Sequence, residues 1–149
     1  MSEDQPSLIT SGGHVPTAAD VIIDFILANT PGSAFGTDVF SSYDRQATGI
    51  VRFVEEAPNN VGITMGRAVA WEEPLVIVTV RGDPGKFRAP KDEAMRLRYL
   101  IGAIKTYSSR GITVQGVTPL AGPRQLGRDL ENREAFELRF TMMAGASYE

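Results

Sequence analysis

The sequence contains no cysteine, and its 149 residues include a single histidine, His14. A chain without cysteine can form neither disulfides nor thiolate metal sites, and it has no thiol nucleophile. The lone histidine argues against a catalytic pair built on imidazole. These two shortages remove several of the usual routes to nucleophilic and metal-dependent catalysis.

Long apolar runs and a strong net charge are missing as well. A membrane-spanning helix needs about 20 predominantly apolar residues, and no stretch of the sequence approaches that length. The acidic start Met1–Asp4 is unlike a secretory signal, so we expect the protein to stay in the compartment where it is made. The net charge of -3 argues against a stand-alone nucleic-acid-binding protein, because phosphate contacts need a concentrated basic face.

Two sequence patterns suggest catalysis, but neither has the spacing or side-chain direction that catalysis requires. In Gly82–Lys86, two residues separate the glycines and Phe87 follows the lysine, whereas a phosphate-binding loop needs four residues and then Ser or Thr. Glu55-Glu56 and Glu72-Glu73 are pairs of sequence neighbours, and neighbours on a strand point to opposite faces, so neither pair can share a proton or hold one metal ion. We therefore expect no catalytic, cofactor-binding or metal site, no cofactor and no enzymatic activity. A small hydrolase or nucleotide-binding enzyme with dispersed polar residues is the alternative.

The chain divides into an arm and one domain. Residues 1–16 show neither helical nor strand periodicity and contain several glycines and prolines, which predicts a flexible N-terminal arm. Residues 17–149 have the length of a single domain with one core.

Apolar periodicity predicts the elements of this domain. A helix opens at Thr17 and ends at residues 29–32, and a second helix runs from near Pro90 to Gly111. Leu75–Val80 is continuously apolar, which is typical of a central strand. The other predicted strands are 38–43, 50–54, 112–117 and 135–142. Residues 57–71 are interpreted as a long loop at the sheet edge, with a brief strand at Val61–Met65 as the alternative. This order predicts an α+β fold with a mixed, mainly antiparallel sheet of four or five strands and two helices on one face.

The C-terminal stretch Gly122–Met142 combines a polar segment with the clearest alternation in the chain. Phe136, Leu138, Phe140 and Met142 recur every second residue and are predicted to face the core. The preceding segment, 122–134, is rich in Arg, Asp and Glu and contains glycine breakers, which predicts an exposed loop.

This stretch resembles a known family. The residues Pro123-Arg124-Gln125-Leu126-Gly127-Arg128-Asp129, followed by the alternating Phe136–Phe140, are similar to the C-terminal signature of bacteriophage tail terminator proteins, also called minor capsid or tail completion proteins. The order of predicted elements fits that family from about Ala18 to Met143. Family members often have an Asn-Gly turn after the aspartate, where this chain has Leu130–Arg133.

The resemblance implies a structural protein of the virion tail or neck, made in the host cytoplasm. It implies a homo-hexameric ring at the head-proximal end of the tail tube, which stops tube polymerisation and joins tail to head. The implied partners are further copies of the chain, the major tail tube protein and head-completion or neck proteins. DNA would pass through the ring without specific binding, and no membrane is involved. A head–tail adaptor or another neck ring protein is the alternative within this class.

Seven residues are candidates for a subunit or partner interface. Guanidinium groups pair with carboxylates in a bidentate way, which suits a contact surface, although solvated charges are the simpler reading. Arg128 and Asp129 are expected to serve assembly more than folding. The candidates are Arg81, Arg88, Arg124, Leu126, Gly127, Arg128 and Asp129.

Overall fold

The computed structural model describes residues 16–64 and 70–146, and for residues 58–64 and 70 it describes only the backbone. The predicted arm, apart from Pro16, lies outside the described residues. Within them the chain forms two helices and a seven-stranded sheet: α1 (Ala18–Ala28), β1 (Val39–Phe40), β2 (Val51–Thr64), β3 (Ala70–Pro84), α2 (Arg88–Gly102), β4 (Thr106–Ser109), β5 (Ile112–Pro119), β6 (Arg124–Arg128) and β7 (Arg133–Ala146).

The sheet has the order β1-β2-β3-β7-β5-β4, and β6 pairs with β7 beside the end of β5. The β1–β2 pair is parallel, and the other pairs are antiparallel. The predicted α+β class is confirmed. The predicted count of four or five strands is too low, because the sequence pattern predicts a helix where β4 lies and a loop where β6 lies.

The pairing of β2 with β3 corrects the loop predicted at 57–71 for residues 57–64 and 70–71, where the alternative of a strand is confirmed as far as Thr64. Residues 65–69 of that prediction lie outside the described residues. Pairing continues from Val61↔Glu73 to Thr64↔Ala70, after a register shift between Ala57 and Val61. The Pro58–Asn60 cluster, which reads as a turn, therefore lies at an irregularity inside β2, a position where the sheet tolerates proline.

Helix α2 ends at Gly102, nine residues before the predicted stop at Gly111. The β-prone residues 106–109 form β4, which pairs with β5. Arg110 and Gly111 have φ angles of 51° and 78°, the positive values that a two-residue hairpin turn requires. Gly111 thus closes a hairpin between two strands, where the sequence suggested the end of a helix.

The core lies between the helices and one face of the sheet, and the predicted phase of the last strand is confirmed. Phe136, Leu138, Phe140 and Met142 are all buried. Helix α1 begins after Thr17, as predicted, and the Thr17 N–H donates to the Asp20 carboxylate at 2.8 Å. The buried core that contains Phe136–Met142 also includes residues of β3 and of both helices: Val76, Val78 and Val80 of β3, Val21, Ile22 and Ile26 of α1, and Ala94, Leu97 and Ile101 of α2.

A largely buried ion network ties α2 to β2 and to the segment after α1. Arg52 Nε donates to Glu93 Oε2 at 2.7 Å, and its Nη1 donates to Asp38 Oδ2 at 3.2 Å. Arg96 Nε donates to the other Glu93 oxygen at 2.8 Å. Burial works to raise the pKa of Glu93, but the hydrogen bonds from Arg96 and Arg52 outweigh it and hold the pKa below its ordinary 4.5.

This depressed pKa predicts acid sensitivity. A carboxylate whose pKa is lower in the folded state stabilises the fold above its unfolded pKa, and that contribution is lost as the pH falls through the folded pKa. Between about pH 5 and pH 3, the unfolding free energy of the wild type should therefore fall more steeply than that of Glu93→Gln. Urea denaturation at several pH values measures both slopes, with exposed Asp92→Asn as the matched control on α2. Equal slopes for wild type and Glu93→Gln would contradict the network's role.

Candidate functional site

The polar segment before the last strand is a β-hairpin, which corrects the predicted loop. Strand β6 pairs antiparallel with the start of β7, from Arg124↔Glu137 to Arg128↔Glu134. A register shift between Gln125 and Gly127 makes Leu126 the extra residue of a bulge, and Gly127 has a φ of 93°. Gly127, which as a sequence signal predicts a loop, thus forms part of a bulge inside a strand.

Strand β6 is exposed along its whole length, and in the described part of the chain it pairs only with β7. Its outer edge therefore presents backbone N–H and C=O groups that can pair with another chain. Four of the seven predicted interface residues lie on this strand: Arg124, Leu126, Gly127 and Arg128. Whether they contact another subunit stays a prediction.

Asp129 has a clear role within its own subunit. Its Oδ1 accepts hydrogen bonds from the backbone N–H groups of Glu131 and Arg133, each at 2.9 Å, and its Oδ2 accepts one from Arg133 Nε at 2.8 Å. Burial works to raise its pKa, but the bonds from Arg133 and Glu131 outweigh it and lower the pKa. The expectation that Asp129 serves assembly more than folding is therefore revised, because this side chain holds the hairpin turn.

Arg133, which sequence reasoning assigned to the exposed loop, is a buried anchor. Its Nη1 donates to the Arg45 carbonyl at 2.9 Å, and its Nη2 donates to Glu131 Oε1 at 2.8 Å. Burial acts against its charge, but the hydrogen bond and charge of Asp129, with Glu131, raise its pKa. No local pattern in the sequence signals this role, because the carbonyl partner lies 88 residues away.

Arg81 is a second buried anchor for the same loop. It is 2% exposed, and it donates to the Asp44 carbonyl at 2.8 Å and to the Ala47 carbonyl at 2.6 Å. Its guanidinium carbon lies 5.3 Å from the ring centroid of Tyr43 and 5.0 Å from that of Phe53. The expected place of Arg81 at an interface is therefore corrected, because the side chain is buried and both of its Nη groups donate to carbonyls of its own subunit.

Arg88 is the exposed first residue of α2. The turn that leads into α2 lies beside the hairpin, since the Gly85 N–H donates to the Asn132 carbonyl at 3.0 Å. The structure thus gathers residues 43–48, 85–88 and 124–133 at one end of the sheet, which we call the hairpin end. A hollow of about 480 Å³, lined in part by Arg45, Glu131 and Arg133, lies within it.

Arg128 neutralises a buried carboxylate. Its Nε donates at 3.0 Å to Oε2 of Glu134, whose side chain is only 5% exposed. Oε1 of Glu134 is buried and has no hydrogen-bond partner among the described residues. Glu134 lies two residues before Phe136, so the alternation of β7 predicts that its side chain points inward. Its charge, in contrast, predicts a place in the exposed loop. Arg128 thus contributes to folding as well as to the exposed edge.

Among residues 16–64 and 70–146, no group of three or more acidic or histidine side chains is placed to hold a metal ion. No helix in these ranges is long and apolar enough to cross a membrane.

Comparison with solved structures identifies a shared fold. A chain from the virion of a native gene transfer agent (GTA) particle matches with a TM-score of 0.54 at 18% identity, over 86% of this chain and 94% of that chain. No protein-family model matches the sequence, and no curated protein matches it.

Removing the Arg128 charge should destabilise the isolated subunit. Arg128→Gln leaves the Glu134 carboxylate buried without its ion pair, which typically costs about 1–3 kcal/mol of unfolding free energy. Adding Glu134→Gln should recover part of that loss, because no buried charge then remains. Chemical denaturation of both variants measures these changes. Arg124→Gln is the control, since its partner Glu137 keeps Arg139. If the unfolding free energy of Arg128→Gln equals that of the wild type, water stabilises the Glu134 carboxylate sufficiently and the Arg128–Glu134 pair does not contribute to stability.

Proposed function

We propose that this protein is a structural component of a phage-like virion and forms a tail-terminator-like ring. The observation that carries the proposal is the fold shared with a chain of a gene transfer agent virion over nearly the full length of both chains. The tail-terminator signature supports the finer assignment, since its residues Arg124–Asp129 form the exposed strand β6 and the turn that follows it.

The proposed ring requires one surface of each subunit to meet a different surface of the next, because a contact between identical surfaces closes as a pair and cannot continue to a six-membered ring. Strand β6 suits one of these surfaces. Its outer edge is unpaired in the described part of the chain, it has arginines at both ends, and Leu126 in its bulge is 44% exposed. Six copies are proposed, as in the family that the sequence resembles. Hydrogen bonds of Arg81, Asp129 and Arg133 hold the hairpin end together, so we expect the edge to need little ordering before it binds.

In this proposal the ring sits on the head-proximal end of the tail tube, stops addition of tube subunits and presents a surface to neck proteins. Its partners are the major tail tube protein, head-completion proteins and other copies of itself, and its location is the virion tail or neck. DNA passes through the ring without specific binding. The role is structural and requires no cofactor.

Charge pairs across such a contact matter more than surface pairs within one subunit. An exposed intramolecular ion pair contributes about 0–1 kcal/mol. Truncating one partner of a buried charged pair at an interface costs about 2–5 kcal/mol. In a closed ring that loss recurs at every contact, so one substitution can abolish assembly without unfolding the subunit.

The test combines ring formation with capping of tail tubes. Native mass spectrometry and electron microscopy of the purified protein, alone and with tubes of the major tail protein, should show closed rings and tubes capped at one end. Leu126→Asp places an uncompensated charge at the β6 contact, so it should abolish rings and capping while the melting temperature stays near that of wild type.

Tyr99→Asp is the matched control, because Tyr99 is a 66% exposed apolar residue on α2. It should leave assembly intact. A wild-type protein that stays monomeric alone and with tubes would overturn the proposal. Binding to head-side neck proteins without tube capping would favour the head–tail adaptor. Rings that form equally well with Leu126→Asp would remove β6 from the contact.

A further inference from the structure

Strand β2 has a free edge on the side of the sheet opposite β6. Strand β1 pairs with β2 only at Arg52 and Phe53, and β1 ends at Phe40. From Val54 onward, β2 pairs only with β3 in the part of the chain that the structure describes. The backbone groups on the outer side of β2 can therefore pair with a strand of another chain.

A hollow of about 370 Å³ lies along this free edge. Glu55 and Glu56 both line it, and because neighbours on a strand point to opposite faces, the hollow lies at the edge of β2 and not over one face. Its remaining lining residues are Val54, then Thr17, Ala19 and Asp20 at the start of α1, and Ser41 directly after β1. The hollow thus lies where β1 stops and β2 continues, which is the position that an added strand would occupy.

The two glutamates of this hollow carry charge that their own subunit neutralises incompletely. Glu55 is exposed and has no ion-pair partner among the described residues. Oε1 of Glu56 is buried and has no hydrogen-bond partner in the same part of the chain. Burial raises the pKa of Glu56 above its ordinary 4.5, and the charge of Glu72 adds to this shift, although backbone N–H groups of α1 work against it. The hollow therefore favours a basic strand.

The charges of β6 match this edge face by face. Arg128 lies on the face covered by the helices and Arg124 on the opposite, open face, because their register partners in β7 point to opposite sides. Glu56 lies on the helix-covered face, since its register partner is the core residue Val76, and Glu55 lies on the open face. Each face of the β2 edge thus offers a carboxylate where β6 offers a guanidinium.

Both arginines of β6 can bind a further carboxylate. Their side chains are 66% exposed for Arg124 and 57% exposed for Arg128. Nε and Nη1 of Arg128 donate to Glu134 and Asn132, which leaves its Nη2 without a partner among the described residues. A carboxylate of a neighbour can therefore be bound while the Arg128–Glu134 pair stays intact.

We propose that β6 of one copy adds to the free edge of β2 in the next copy, so that the sheet continues from subunit to subunit. The inference rests on the proposed ring and names the second surface of its repeating contact. Arg124 pairs with Glu55 on the open face, and Arg128 reaches Glu56 on the helix-covered face. In such strand addition the backbone hydrogen bonds supply affinity, and the side chains determine which strands meet.

The contact joins unlike surfaces, because the two edges lie on opposite sides of one subunit. Strands β3 and β7 stand between β2 and β6, so the edges are separated by three strand spacings, roughly 14 Å. A neighbour beside one edge cannot also reach the opposite edge of the same copy. Each copy therefore uses β6 towards one neighbour and β2 towards the other, which is the arrangement that repeats around a closed ring.

Strand direction agrees with this arrangement. The pairs β2–β3, β3–β7 and β7–β6 are all antiparallel, so β6 runs opposite to β2 within one subunit. A neighbour in the same orientation brings its β6 antiparallel to β2. The added strand then continues the antiparallel pairing that most of the sheet already has.

Cysteine cross-linking tests the inference, because the chain has no cysteine of its own. Gln125→Cys on β6 and Ser41→Cys at the hollow are exposed positions that leave all four proposed charges in place. The double variant, treated with a short bismaleimide, should give a covalent ladder on a denaturing gel that ends at six subunits. Each single variant alone should give no product, and a mixture of the two should give cross-linked dimers only.

Two controls accompany the ladder. Gln125→Cys combined with Tyr99→Cys, on the outer surface of α2, should give no ladder. Glu55→Arg, added to the double-cysteine chain, should abolish the ladder by repelling Arg124. Glu73→Arg, an exposed glutamate on β3 away from both edges, should leave it unchanged. Circular dichroism melts verify folding, and Glu55→Gln, with a weakened ladder expected, replaces Glu55→Arg if the latter unfolds.

The outcomes separate this inference from the proposed function. If the wild type never assembles, the ring itself is refuted. If the wild type forms rings and the double-cysteine chain gives no more product than the Tyr99 control, the ring stands and the addition of β6 to β2 is refuted. Cross-linking of either single variant to itself would show a contact between identical edges and would also refute it. In capped tubes, a photoreactive maleimide on Ser41→Cys that links to the tail tube protein, and not to a second copy, would assign the hollow to the tube protein and overturn the inference.

Discussion

The hairpin end depends on two buried guanidinium groups that bind backbone carbonyls. Arg81 and Arg133 reach the 44–47 loop from β3 and from the start of β7, and both donate to carbonyls of that loop. A buried charge is costly unless it is fully paired, and Nε of Arg81 has no partner among the described residues. The carbonyl bonds and the aromatic rings of Tyr43 and Phe53 offset that cost. These contacts join a loop, a central strand and a hairpin that are distant in sequence. They thereby hold the exposed β6 edge in its position relative to the sheet.

The sequence predicted those features that depend on short-range periodicity. The inward phase of Phe136–Met142, the central strand at Leu75–Val80 and the helix start after Thr17 each follow from local patterns, and the structure confirms them. The same alternation also predicts that the side chain of Glu134 points inward. The charge of a glutamate, however, predicts exposure more strongly than its strand phase predicts burial.

The remaining features depend on tertiary pairing. Strand β6 is polar and contains Gly127, so only its pairing with β7 makes it a strand. The end of α2 was missed because residues 106–109 gain strand structure from pairing with β5. The buried role of Arg81 requires a carbonyl partner 37 residues away in the chain, which no local pattern reveals. The family-like motif thus indicates the region of the candidate site. Only the fold shows which of its residues are buried anchors and which are exposed.

In the proposed ring, the exposed edge of β6 becomes an assembly contact while the rest of the hairpin end holds it in place. Hydrogen–deuterium exchange of the free and the ring-assembled wild-type protein measures this directly. We expect backbone amides of Arg124–Arg128 to exchange more slowly in the ring, while exchange at the outer surface of α2 around Tyr99 is unchanged. Unchanged exchange in β6, with protection appearing on α2 instead, would show that β6 is not the assembly contact.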